Sequence, residues 1–273
     1  MIAAHDDAHD EVFADAADAD AADADAATPP TRVRTRPPPP ITAAMSAPLV
    51  SMTMTSQLSE CEKEFKRLLR QPASEWKLES NKRSVRVWSQ NSDCRWKRFR
   101  ASLTFEGVDP KFAFGELTEY PRRQLWDANI VSNATLASLG SKRVVTYTTP
   151  SAVGGLVKSR RFLDCSQETE AAGGALIGWC CDWTGDDAEH EALFDGLVRG
   201  RNLVGGGTAV KKLGESWQLT MIGFTDLGGG LPATIANSAS VGAFVQLIDG
   251  LATQIEAKGG KRVADTESFS LEF

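Results

Sequence analysis

Apolar residues recur at helical spacing early in the chain. Leu58, Cys61, Phe65, Leu68 and Leu69 are separated by Glu60, Glu62, Lys63, Glu64, Lys66 and Arg67. This pattern predicts an amphipathic helix of about four turns, beginning near Ser56 and ended by Pro72. The period then changes to two. Val85 and Val87 alternate with Arg86 and Trp88, and Phe99, Ala101, Leu103 and Phe105 alternate with Arg98, Arg100, Ser102 and Thr104, which predicts half-buried strands. A short helix is expected over Phe112–Leu117, between Gly107-type punctuation and the next strands. Further strands are predicted over Ile130–Leu139, Lys142–Thr149, Arg160–Glu168, Ala175–Trp183, Gly196–Leu203 and Trp217–Leu227. After Pro232 the helical period returns and persists to about Lys258, with Phe244, Leu247, Ile248, Leu251 and Ile255 as its stripe. Consecutive strands bracketed by helices give an α+β class with an antiparallel sheet. Sheet twist curls such a surface, and the last helix is the element long and apolar enough to fill its concave side.

Charge separates the amino-terminal stretch from the rest. Of a net charge of −6, residues 1–28 carry −9 and residues 29–50 carry +3, so residues 51–273 are neutral. A neutral body lacks the clustered basic surface that displaces counterions from nucleic acid, so nucleic acid is not an expected partner. Ala14–Ala27 alternates Ala with Asp, and nothing in it can pack a core, so residues 1–55 are expected to be a disordered extension. Pro29, Pro30 and Pro37–Pro40 make the segment 29–40 a stiff spacer or a ligand for a proline-binding partner. Residues 56–262 are expected to form one domain and 263–273 a flexible tail.

Targeting and redox signals are sparse. The amino terminus has no basic n-region or apolar h-region and is too acidic for a transit peptide. No apolar run approaches about 18 residues, so no spanning helix is expected. Five cysteines without paired spacing argue against a disulfide framework or a zinc site and suit a reducing, cytoplasmic setting. A monomer is expected.

Chemistry for bond making is poorly represented. Two of the three histidines, His5 and His9, fall in the acidic extension, and His190 lies in a polar, acidic loop. Gly205-Gly206-Gly207 lacks phosphate-loop spacing, and Gly228-Gly229-Gly230 follows no parallel-strand frame. No catalytic residue, cofactor or metal is therefore expected. The adjacent Cys180 and Cys181 point to opposite strand faces.

The passage Asp226-Leu227-Gly228-Gly229-Gly230-Leu231-Pro232, with Ile235 and Asn237 beyond it, resembles the carboxyl-terminal signature of the START (steroidogenic acute regulatory protein-related lipid-transfer) family. Arg123-Gln124-Leu125-Trp126-Asp127, Ser159-Arg160-Arg161-Phe162 and Leu197-Val198-Arg199 match further family patterns in the same order. The resemblance runs from about Gln57 to Ala257. It implies a helix-grip fold, a curved antiparallel sheet wrapped around a long carboxyl-terminal helix with an internal lipid tunnel. It also implies one bound lipid, of the sterol or phospholipid class, transferred between membranes or sensed.

The resemblance also implies where the ligand sits. Tyr147 and Ser166 fall where sterol-binding members carry a buried acid–Arg pair, so a hydroxyl pair would meet the lipid head. Thr149, Phe162 and Leu203 fall near the choline cage of phosphatidylcholine-binding members, with one aromatic ring among them. Arg123 stands in the place of that subgroup's phosphate-contacting Arg, or is a surface Arg of a turn. Trp126, Trp179 and Trp183 line the tunnel or pack the core, and Phe244 and Ile248 face the ligand from the last helix. Val153, Leu156 and Val157, in the loop Pro150–Lys158, would be exposed as a lid that touches the bilayer. Gly242 and Gly250 either weaken the last helix for opening or allow close packing. Arg161 stands where the family carries Asp. Two alternatives remain: an enzyme working inside the cavity, using Tyr147, Asp164 or Glu168, and a lipid-regulated interaction module recruited through the extension.

Overall fold

The computed structural model describes residues 47–82, 85–151, 157–185, 191–194 and 196–263. The extension before residue 47, His190, Val153, Leu156 and the tail from residue 264 lie outside the described residues.

The first helix, α1 (Ala47–Arg70), starts nine residues earlier than its periodicity predicts. Its stripe extends back to Met54, which is buried, and Lys142 Nζ donates to Thr55 Oγ1 at 2.7 Å. The opposite face carries the Glu62–Lys66 and Glu64–Arg67 pairs, at one-turn spacing. Three strands follow: β1 (Lys77–Lys82), β2 (Val85–Gln90) and β3 (Arg98–Glu106). Then come α2 (Pro110–Thr118) and the single turn α3 (Tyr120–Arg123). The Asp109 side chain accepts the Lys111 N–H at 2.8 Å, and Pro110 occupies the first helical position, so the start of α2 is written locally.

The remaining strands are β4 (Ser132–Leu139), β5 (Lys142–Thr149), β6 (Arg160–Glu170), β7 (Leu176–Asp182), β8 (Val198–Arg199), β9 (Arg201–Asn202), β10 (Gly206–Leu213) and β11 (Ser216–Asp226). The chain ends its described course with α4 (Ala233–Ala257) and β12 (Lys261–Val263). The sheet runs β1-β2-β3-β11-β10-β7-β6-β5-β4, with β12 beside β3 and β9 beside β11. Every pairing is antiparallel except that of β8 with β6. The strand predicted over Gly196–Leu203 breaks at Gly200, whose Cα lies against the Phe162 ring and leaves no space for a side chain. Where the family carries Asp, Arg161 donates to Thr148 Oγ1 at 3.0 Å and to the Leu193 carbonyl, which ties β6 to the segment before β8.

One sheet face packs against α1 and the other against α4. The α1 face gathers Leu58, Phe65, Leu68 and Leu69 with Ile177, Trp179, Cys181, Trp183 and Ile222. The α4 face gathers Phe99, Ala101, Leu103 and Phe105, the alternating set of β3, with Leu247, Ile248, Leu251 and Ile255. Helix α4 is long and apolar enough, by length and composition, to cross a membrane, which the apolar-run count missed. In this fold its second half is buried against strands β2 and β3. This is the curved sheet gripping a terminal helix that the periodicities predicted.

Candidate functional site

Helix α4 fills the concave face only over its second half. Under its first half lies a cavity of about 260 Å³, bordered by β5, β6, β7, β10, β11, the end of α2, and α3. It exceeds the ~150 Å³ of an engineered apolar cavity that admits benzene. Residue size explains the hollow. The positions of β7 and β10 that face it are Gly178, Cys180, Gly206 and Thr208, and α4 presents Ala239, Ser240 and Ala243. Larger apolar residues of its wall include Leu117, Ile130, Met221, Phe244 and Leu247.

A polar cluster interrupts this apolar lining. Asn202, from the two-residue strand β9, donates through Nδ2 to Tyr147 Oη at 2.7 Å and to Asp164 Oδ2 at 2.6 Å. Its own Oδ1 accepts from Thr225 Oγ1 at 2.9 Å. Asp164 is fully buried, and its Oδ1 has no hydrogen-bond partner among the described residues. Burial pushes its carboxyl well above the usual range, and the Asn202 contact only partly offsets that. Burial likewise raises the phenols of Tyr147 and Tyr120, with Asp164 adding to both. The rings of Tyr120, Tyr147 and Phe162 form a continuous stack, with centroids 4.8 and 4.7 Å apart.

Charged groups at the wall are mostly answered. Arg123 Nε meets Asp127 Oδ2 at 2.7 Å, and Asp127 also accepts the Asn129 backbone N–H at 2.8 Å. Glu168 pairs with Arg143, and Asp182 with Arg199 at 3.3 Å. Arg160 is 2% exposed and donates to two backbone carbonyls, Leu227 O at 3.0 Å and Lys158 O. Among the described residues no His/Cys/Asp/Glu cluster has the arrangement to hold a metal ion.

Of the predicted ligand residues, Tyr147, Ser166, Arg123, Phe162 and Phe244 line the cavity. Three others stand elsewhere, and a fourth, Trp179, only borders it. Trp126 packs on α4 at Gly250 and donates Nε1–H to Glu116 at 2.8 Å. Leu203 joins Trp96, Phe224 and Ala236 in a separate small cluster. Ile248 is buried against β3, one position past Leu247, which does reach the cavity. Trp179 borders the cavity, but its side chain belongs with Trp183 to the cluster under α1, on the strand face opposite Gly178 and Cys180. Val157, expected to be exposed on the lid, is 5% exposed and turns into the cavity.

Tyr120, Asn202 and Arg160 line the cavity without having been read from the sequence as ligand-wall residues, and Asp164 was read only as a candidate acid of a cavity enzyme. Period-two parity from Phe162 and Ser166 carries the signal for Arg160 and Asp164, which share their strand face. Asn202 could be found only through its pairing with Thr225.

The model of the START domain family matches residues 56–248. Among solved structures, human StAR-related lipid transfer protein 5 superposes with a TM-score of 0.67 at 21% identity, covering 76% of this chain and 98% of its own. Human STARD10 gives 0.56 at 17% identity, covering 72% and 82%. A STAR-related lipid transfer protein fragment from Xanthomonas axonopodis gives 0.54 at 15%, covering 67% and 99%. These likenesses show a common fold. No curated protein matches the chain.

Proposed function

Because the chain belongs to the START domain family, we propose that it binds one lipid in the cavity beneath α4 and carries it between membranes or senses it. The observation that carries this reading is the hollow itself, lined largely by apolar residues and polar at Tyr147–Asn202. Burying about 400 Å² of hydrocarbon there is worth on the order of 10 kcal/mol. An empty hollow of this kind gives up packing that its walls would otherwise make. Two of the structural neighbours are lipid transfer proteins by name. A sterol or phospholipid head would meet the Tyr147 hydroxyl and Ser166.

Loading requires a bilayer contact. Leu125, 76% exposed, and Val131, which follows the cavity residue Ile130, lie on two segments joined by the bond that Gln124 Nε2 donates to Val131 O at 3.0 Å. We assign this edge as the membrane-touching surface. A monomer in the cytoplasm, with its cysteines as thiols, completes the proposal, and the segment 29–40 is its candidate partner-binding stretch.

Asp164 favours a second reading, an enzyme using a neutral buried acid beside the bound molecule. One experiment addresses both. Native mass spectrometry of the purified full chain, followed by extraction, should give one lipid per chain, recovered unaltered after prolonged incubation. A bare protein that takes up nothing from vesicles would sink the lipid reading, and a chemically altered lipid would favour the enzyme.

A further inference from the structure

Strand β6 alternates, so Arg160, Phe162, Asp164 and Ser166 share one face, toward the cavity. Most charged groups around that cavity are paired with one another. Arg123 is neutralised by Asp127, Glu168 by Arg143, and Asp182 by Arg199. Asp226, on the neighbouring segment, spends Oδ1 on the Gly228 N–H at 2.7 Å. Arg160 is left with two backbone carbonyls and no carboxylate partner among the described residues. A guanidinium does not shed its proton in a protein, and burying one without a counter-charge is unfavourable. Buried as it is, Arg160 is among the residues that line the cavity. Gly229, at φ +66°, has its missing Cβ position 3.5 Å from Arg160 Nη2, an ordinary van der Waals distance.

We propose that Arg160 receives an anionic oxygen group of the ligand. The cavity then selects an amphiphile with a negatively charged head, a carboxylate or a phosphate, seated near Leu227, with its hydrocarbon under Ala243 and Phe244. Arg123, the expected phosphate contact, is the poorer receptor because Asp127 already occupies it. This inference rests on the cavity being a lipid site.

The test uses the full chain and phosphatidylcholine vesicles doped with matched pairs: oleate against oleyl alcohol, and dioleoyl phosphatidate against dioleoylglycerol. Uptake is read by native mass spectrometry. The wild-type protein should take up at least one anion about tenfold better than its uncharged partner, and the pair that discriminates identifies carboxylate or phosphate. R160Q should bring that ratio to within about twofold, and R160K should keep part of it, because it retains the charge but not the fork. Equal uptake within both pairs by the wild type, or an undiminished preference in R160Q, overturns the proposal while leaving lipid binding intact. If no lipid of any kind is taken up, the reading of the cavity falls and this assignment with it.

Discussion

Strands β7 and β10 serve two helices with opposite results. Their residues toward α1 include Ile177, Trp179, Cys181 and Ala209, which meet Leu58, Cys61, Phe65, Leu68 and Leu69 in a filled layer. Toward α4, Leu176 and Val210 join the core at one end of the two strands, but beyond them come Gly178, Cys180, Gly206 and Thr208, and there a hollow remains. Topology and twist are common to both faces, so they do not decide which one is hollow. The size of every second residue does. The same contrast recurs along α4, where Ala239, Ser240 and Ala243 border the void and Ile248, Leu251 and Ile255 close the core one to four turns later.

The sharpest way to break this comparison is to exchange the two strategies. Phe65→Ala should cost about 3–5 kcal/mol in urea unfolding, while the molecules that stay folded take up lipid normally. Ala243→Phe should cost no more than about 1–3 kcal/mol yet lower lipid uptake more than tenfold. Normal uptake by Ala243→Phe would mean that the ligand lies elsewhere.

A second, smaller effect separates the polar cluster from the apolar walls. Burial lifts the Asp164 carboxyl above its unfolded value of about 3.9. The folded state therefore holds a proton that the unfolded state has lost, and stability falls as pH rises through that window. Asp164→Asn keeps an acceptor for Asn202 without this penalty. Its stability advantage over the wild type should grow from near pH 4 toward neutrality and level off below it. Parallel stability curves for the two proteins from pH 4 to 7.5 would show Asp164 to be ionised in the fold.

The strands that the sequence discloses are those whose alternation is uninterrupted. Phe99, Ala101, Leu103 and Phe105 announce β3, and Lys142–Thr149 is read to the residue. Strand β10 was missed because it opens on Gly206-Gly207, a pair that reads as a loop, yet Gly207 is in the sheet opposite Ile222. There the glycine admits the Phe65 ring, which lies 3.0 Å from where a Cβ would sit. Edge strand β1, Lys-Leu-Glu-Ser-Asn-Lys, is polar and bulged at Leu78/Ser80, so no period marks it. At the site, Tyr147, Ser166 and Phe162 are legible by resemblance. Asn202 and Tyr120 are not, because their contacts depend on strands and turns that meet only after the chain has crossed the sheet.

The smallest expected effect tests the two glycines of α4 against each other. Gly242 is exposed, with open space where a side chain would go, so Gly242→Ala should stabilise the fold by about 0.5–1 kcal/mol. At Gly250 a Cβ would lie 3.0 Å from the Trp126 ring, which Glu116 holds by its N–H, so the same change should be destabilising by less than about 1 kcal/mol. Equal gains in thermal unfolding would show that Trp126 yields.

The chain contains two tyrosines, and both belong to the ring stack at the cavity wall. Nature has in effect placed the reporter groups for occupancy in advance. Biosynthetic 3-fluorotyrosine would yield a spectrum of two resonances, each originating beside the guest and neither from the surface, so that filling and emptying could be followed without attaching any dye.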